Sequence, residues 1–309
     1  MLGGLGLYQR TKLLEATMNR LGSCTAVLCL VLAPATSFAQ DKFFDSNGVT
    51  IRYVERGNGE PVVLLHGMGS SLESWVTRGV LQNLARDYRV IAFDARGHGK
   101  SGKPHDPKQY GREMALDTVR LLDHLDIRRA HVVGYSMGGF LTSQLLTLHP
   151  DRFLTATLIA GAGRFRWTPE LARNFEQQAS EHERECVSRT LIFNRSRAKP
   201  SEEDIKTLSA ACFADPNQDR FAIAAVQRSI HDHVITPAQV SAVTVPTLGI
   251  VGSLDPQKEG FERLKKLRPS LPVVVVDGAV HAGDRGILGR PEFIAALREF
   301  IAANRTSSR

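Results

Sequence analysis

Ala130-His131-Val132-Val133-Gly134-Tyr135-Ser136-Met137-Gly138-Gly139-Phe140 is the stretch that decides how this chain folds. Its first five residues are short, mostly apolar and β-branched, the pattern of a buried strand. Residues 140–148 continue as an apolar helix. Between them stands Gly-x-Ser-x-Gly, with the serine on a strained strand-to-helix turn. Glycines two positions to either side let strand and helix pack closely around it. Such a turn projects the Ser136 hydroxyl at the sheet edge. It also leaves the Met137 N–H at a helix N-terminus, where it can donate to a developing oxyanion.

The same alternation extends outward in both directions. Continuous apolar runs predict strands at 61–65, 88–93, 130–134, 154–160, 247–251 and 272–276. Residues 51–54 alternate apolar and polar, which suits a half-buried edge strand. Helical spacing joins Met114, Thr118, Leu121, Leu122 and Leu125, and again Phe293, Ile294, Leu297, Phe300 and Ile301. The expected fold is α/β with a doubly wound, mostly parallel sheet. Residues 164–243 hold no good strand and are expected to form a helical cap or lid inserted into a core of 40–163 and 244–309. Long insertions of this kind tend to cover sites.

A serine hydroxyl needs a base, and in this fold the acid and then the histidine follow it in the chain. The 247–251 strand runs into Gly252-Ser253-Leu254-Asp255, and the 272–276 strand into Asp277-Gly278-Ala279-Val280-His281. Asp255 and His281 are therefore expected past strand C-termini, on the edge that presents Ser136. His281 takes the role of general base, and Asp255 that of the group that fixes its tautomer. Asp277 and Asp284 lie too near His281 in sequence to be that acid. His131, His149, His231 and His233 are read as structural. His66-Gly67-Met68-Gly69 follows the 61–65 strand. Its glycines permit close approach, and the Met68 N–H is the second oxyanion donor. His66 shapes the loop, while Gly67 and Tyr135 are candidate substrate-binding residues. A dinucleotide reading of this loop lacks the third glycine. Asp94-Ala95-Arg96-Gly97-His98-Gly99-Lys100-Ser101 fails the phosphate-loop spacing and reads as an ordered turn with Asp94 and Arg96 bonded internally.

These ordered signals resemble the α/β-hydrolase superfamily, in the broad group with a helical cap after the sixth strand. The resemblance runs from Gly48 to the last helix. It implies an eight-stranded sheet and a Ser136–His281–Asp255 triad that works without cofactor or metal. The serine separates the chain from haloalkane dehalogenases and epoxide hydrolases, which place an aspartate at this turn. The expected activity is hydrolysis of carboxylic esters of small or medium apolar substrates. Phe165 and Trp167 either line an apolar entrance or pack inside the cap. The same triad also serves carbon–carbon or amide hydrolysis, perhydrolysis, acyl transfer, or slow hydrolysis by a ligand sensor.

Composition agrees with a globular protein. The chain has 309 residues, 42% hydrophobic and 23% charged, which excludes collagen-like, low-complexity and wholly disordered classes. Its net charge of +7 is scattered among acids. With no basic run of about 5–8 residues, nothing points to nucleic acid. The four cysteines make neither a disulfide scaffold nor a zinc pattern. The N-terminus reads as an address. Arg20 flanks the apolar run 26–33, Pro34 breaks it, and Ser37-Phe38-Ala39 supplies small residues before a cut at Gln40. Residues 1–39 are thus expected to be a secretory signal peptide, with Met18 a possible start. The mature protein is expected to be periplasmic or secreted, with no stable membrane insertion. Cys186 and Cys212 would then be able to pair; two separate buried thiols are the simpler expectation.

Overall fold

The computed structural model describes residues 40–305; the stretch read as a signal peptide lies outside the described residues. Eight strands form one sheet: β1 (Lys42–Ser46), β2 (Val49–Arg56), β3 (Pro61–Leu65), β4 (Arg89–Phe93), β5 (Ala130–Tyr135), β6 (Phe153–Ile159), β7 (Thr247–Gly252) and β8 (Val273–Val276). Their spatial order is β1-β2-β4-β3-β5-β6-β7-β8. The β1–β2 and β2–β4 pairs are antiparallel and the others parallel. The sheet is therefore the doubly wound, mostly parallel one expected.

The helices are α1 (Glu73–Thr77), α2 (Val80–Leu84), α3 (Arg112–His124), α4 (Met137–Leu148), α5 (Pro169–Glu185), α6 (Arg189–Ser196), α7 (Glu202–Ala214), α8 (Arg220–Ser229), α9 (Pro237–Ser241), α10 (Lys258–Leu267) and α11 (Pro291–Ala303). Central strands β5 and β7 are buried at every residue, because helices cover both faces. One face packs Leu121, Leu141 and Leu145 against the sheet; the other packs Trp75, Leu81, Phe293 and Leu297.

The edge differs from expectation. β2 lies inside the sheet between β1 and β4, and β1 is the edge strand. Its sequence, Lys-Phe-Phe-Asp-Ser, carries charge and only two inward-facing residues, the kind of short, charged strand that ends a sheet without inviting further pairing.

Between β6 and β7 the chain builds α5 to α9 and, among the described residues, no strand of the sheet. An isolated bridge joins Arg164 to Val234 where this excursion leaves and rejoins the sheet. Glu181 ties α5 to the start of α6 by accepting from Ser188 Oγ, Thr190 N and Thr190 Oγ at 2.6, 2.9 and 2.8 Å. The expectation of separate thiols is corrected here. Cys186, in a left-handed conformation just past α5, and Cys212 of α7 form a disulfide, with Cα atoms 5.9 Å apart. α7 meets the C-terminal end of α5, where Ser209 Oγ also donates to the Glu185 carbonyl, a proximity that sequence spacing alone does not reveal.

Candidate active site

Ser136 occupies the strained conformation its motif implies, with φ 54° and ψ −111°, a region that non-glycine residues rarely enter and that clusters at functional sites. The two motif glycines make it possible. A Cβ at Gly134 would lie 2.1 Å from the Gly138 carbonyl oxygen, and one at Gly138 would lie 2.1 Å from that of Leu65. Strand β5, helix α4 and strand β3 approach at distances no side chain permits.

Ser136 Oγ lies 3.0 Å from His281 Nε2, and His281 Nδ1 lies 2.9 Å from Asp255 Oδ2. The fold thus joins three residues that the sequence spreads over 145 positions. The two loops that carry acid and histidine are stitched together. Ser253 N donates to Val276 O, and Leu254 N to Ala279 O; Ser253 Oγ donates to Asp277 and accepts from Gly278 N. Asp255 Oδ1 accepts from Gln257 N at 2.8 Å, so both carboxylate oxygens are engaged. Ser136 and His281 are 7% and 4% exposed, sheltered yet reachable from the cavities beside them. A hydroxyl bonded to an imidazole, itself oriented by a buried carboxylate, is equipped to act as a nucleophile.

The 66–69 loop lies against this group. A Cβ on Gly67 would stand 3.1 Å from the Tyr135 ring and 3.3 Å from Ser136 Cβ. His66 Nδ1 donates to Gly67 O at 2.8 Å, and its Nε2 accepts from Ala95 N at 3.0 Å. Burial holds it below the ordinary imidazole range. It is therefore a neutral loop-shaping residue with no free nitrogen, as expected. Among the described residues, neither the Met68 nor the Met137 N–H donates to a protein acceptor. Both belong to segments flanking Ser136, so both are available to an oxyanion.

Asp94, Arg96, His131, His231 and His233 are held by internal hydrogen bonds. Asp94 accepts from Leu72 N, Lys100 N and Arg52. Arg96 grips Asp117 through two hydrogen bonds of 2.7 and 2.6 Å. His131 bonds Thr155, His231 the Arg228 carbonyl, and His233 the Gly111 carbonyl. Tyr135, expected to touch substrate, has its hydroxyl committed to the His281 carbonyl at 2.6 Å; only its flank lines a cavity.

Two cavities meet at Ser136 and His281. The smaller, about 320 Å³, is lined by Gly67, Met68, Tyr135 and Arg195 among others. The larger, about 880 Å³, runs under the helical excursion past Met137, Phe140 and Phe165, a volume suited to a small-molecule ligand. Trp167 instead stacks on Phe175, with centroids 5.6 Å apart. The larger lining is basic: Arg164, Arg166, Arg173, Arg195, Arg197 and Arg263 against the single acid Glu170. Sequence reasoning did not single out these arginines. Arg164 had a signal, since it follows β6 on the sheet edge where ligands bind. Arg195, whose guanidinium donates to Met68 O at 3.2 Å, had none, because only the fold of the excursion brings it there.

The comparisons support the α/β-hydrolase superfamily for this chain. The family model described as alpha/beta hydrolase fold matches residues 60–185. The chain is 27% identical over 262 residues to a pimeloyl-[acyl-carrier protein] methyl ester esterase of Aeromonas salmonicida, covering 80% of this chain and 98% of that one. It is 27% identical over 279 residues to a 2-hydroxy-6-oxo-6-(2'-aminophenyl)hexa-2,4-dienoic acid hydrolase of Metapseudomonas resinovorans, covering 85% and 91%. A shorter match, 38% over 126 residues, is to a dihydrolipoyllysine-residue acetyltransferase component of the acetoin cleaving system of Cupriavidus necator. It takes in 40% of this chain and only 32% of that relative. An enol-lactonase structure from Burkholderia xenovorans superposes with TM-score 0.65 at 23% identity, covering 84% of this chain and 100% of that one, and so shares the fold.

Proposed function

We propose that this protein is a serine hydrolase of carboxylic esters. The observation that carries the reading is the Ser136–His281–Asp255 hydrogen-bond chain, at 3.0 and 2.9 Å, beside two unused backbone N–H groups and a ligand-sized cavity. In this mechanism His281 Nε2 takes the Ser136 proton as Oγ attacks the ester carbonyl. Asp255 holds the tautomer and stabilises the imidazolium. The Met68 and Met137 N–H groups receive the oxyanion. His281 then protonates the leaving alcohol, and a water activated by the same base releases the acyl group from Ser136.

The esterase relative supports the ester reading. The dienoic acid hydrolase supports a second one: its named substrate contains a ketone and an acid but no ester, so water must break a carbon–carbon bond there. The excursion of α5 to α9 acts as a lid over either substrate. The disulfide supports export to an oxidising compartment, consistent with a signal peptide at 1–39 and a periplasmic or secreted protein.

The test is hydrolysis of p-nitrophenyl esters from acetate to palmitate, with Ser136→Ala as control. Serine-dependent turnover is expected, and Asp255→Asn should cut the rate by about 10⁴ through the wrong histidine tautomer. A folded protein that labels at Ser136 with a fluorophosphonate but turns over no ester would overturn the ester reading in favour of the carbon–carbon one.

A further inference from the structure

The larger cavity sets a cluster of arginines beside apolar side chains such as Phe140, Phe165 and Leu191. Arg164 stands between two aromatic rings, its guanidinium 5.2 Å from the Phe140 centroid and 4.7 Å from that of Phe175. These stacking contacts hold the guanidinium plane but use none of its N–H donors. Its Nε finds no hydrogen-bond partner among the described residues, and no carboxylate offsets its charge there. Gln227 of α8 lines the same cavity, 1% exposed, with both its amide nitrogen and its amide oxygen unpartnered. A native interior pairs nearly all such groups. A guanidinium and an amide that line one cavity with unpartnered polar atoms are therefore free to bond a group that enters it. Arg195, without a carboxylate partner of its own among the described residues, adds a further positive charge and lines both cavities that meet at Ser136.

We propose that this wall is a carboxylate-binding subsite, in which Arg164, supported by the Gln227 amide and the charge of Arg195, anchors an anionic group of the substrate. The substrates are then half-esters of dicarboxylic acids rather than neutral apolar esters. A planar guanidinium clamped by rings is pre-organised for the two-pronged hydrogen bond that a carboxylate accepts, and a charge-assisted bond of this kind is among the strong ones. This deepens the ester-hydrolase reading and rests on it for the bond that breaks.

The test compares the monomethyl esters of succinic through suberic acid with their dimethyl esters. Wild type should favour the monoanion in kcat/KM at the chain length that spans the distance from Ser136 to Arg164. Arg164→Gln should lower kcat/KM for that monoanion about 10- to 100-fold, mainly through KM, while the diester changes less than about threefold; Arg164→Lys should restore part of the loss. Equal losses on both ester types would mean that the arginine only packs between the rings, and would overturn the proposal. So would a wild-type enzyme indifferent to the second charge, an outcome that needs no variant and stands even if Arg164→Gln fails to fold. Calorimetric titration of wild type with the free dicarboxylates separates the two readings. Salt-sensitive binding without hydrolysis of any ester keeps the anion subsite and removes the ester chemistry. Ester hydrolysis without dicarboxylate binding does the reverse.

Discussion

The Tyr135 hydroxyl donates to the His281 carbonyl oxygen across 2.6 Å, so the residue immediately before Ser136 holds the backbone of the histidine that Ser136 faces. The ring centroids lie 5.5 Å apart. Burial pushes the phenol up to about 12, which keeps it a neutral donor throughout the working range. Tyr135→Phe removes the bond and keeps the ring. The expected result is a fall in kcat of about tenfold with KM little changed, because imidazole placement matters only as the proton moves. A rise in KM alone would return Tyr135 to substrate contact.

Gly67 is the tightest point of the 66–69 loop. Its backbone does not require glycine, but an added Cβ meets the Tyr135 ring at 3.1 Å and Ser136 Cβ at 3.3 Å. Gly67→Ala must push the loop by a few tenths of an ångström and carry the Met68 N–H with it. A drop in kcat of about 10- to 100-fold is expected, with thermal stability nearly unchanged. Unaltered steady-state kinetics would show that the loop donor is not used.

Two of the buried histidines weaken the fold in acid. Burial pushes His98 down to about 3 and His233 down to about 4, against an ordinary value near 6.5. Between those values the unfolded chain binds protons that the folded protein refuses. Their contribution is therefore fully present above about pH 6.5 and is lost as the pH falls toward the folded values. Each group should add about 1.4 kcal/mol per pH unit to the slope. Urea denaturation at several pH values between about 7.5 and 4.5 measures that slope, and replacing His98 by Phe should flatten it by one proton's worth. An unchanged slope in the variant would refute the assignment.

The Cys186–Cys212 disulfide closes a loop of 26 residues within the helical excursion. Joint replacement by serine should cost about 2–4 kcal/mol of stability while leaving the Ser136 environment in place. Peptide mapping of exported material without reductant should recover the two cysteines in one linked pair. Two free thiols in that material would argue against the pairing.

Much of the molecule was legible because its signals are local. A continuous apolar run marks a strand covered on both faces. The Gly134-x-Ser136-x-Gly138 turn encodes its own strain over five residues, and Asp255 and His281 each stand just past such a run. The edge is not legible for a local reason as well: β1 is only five residues long, and its pattern gains meaning only once β2 lies inside it.

By itself, then, the sequence determined the α/β alternation, the strained serine turn, and the placing of an acid and a histidine just past two strands, because each is written in contiguous residues through periodicity and turn chemistry. Only the tertiary structure decided what meets across the sheet edge. Strand order brings Tyr135 under His281, the folding of the helical excursion pairs Cys186 with Cys212, and the same packing sets Arg164 and Gln227 on one cavity wall. Those contacts depend on how whole elements pack, and packing is set by the summed burial of many side chains rather than by any short run of them.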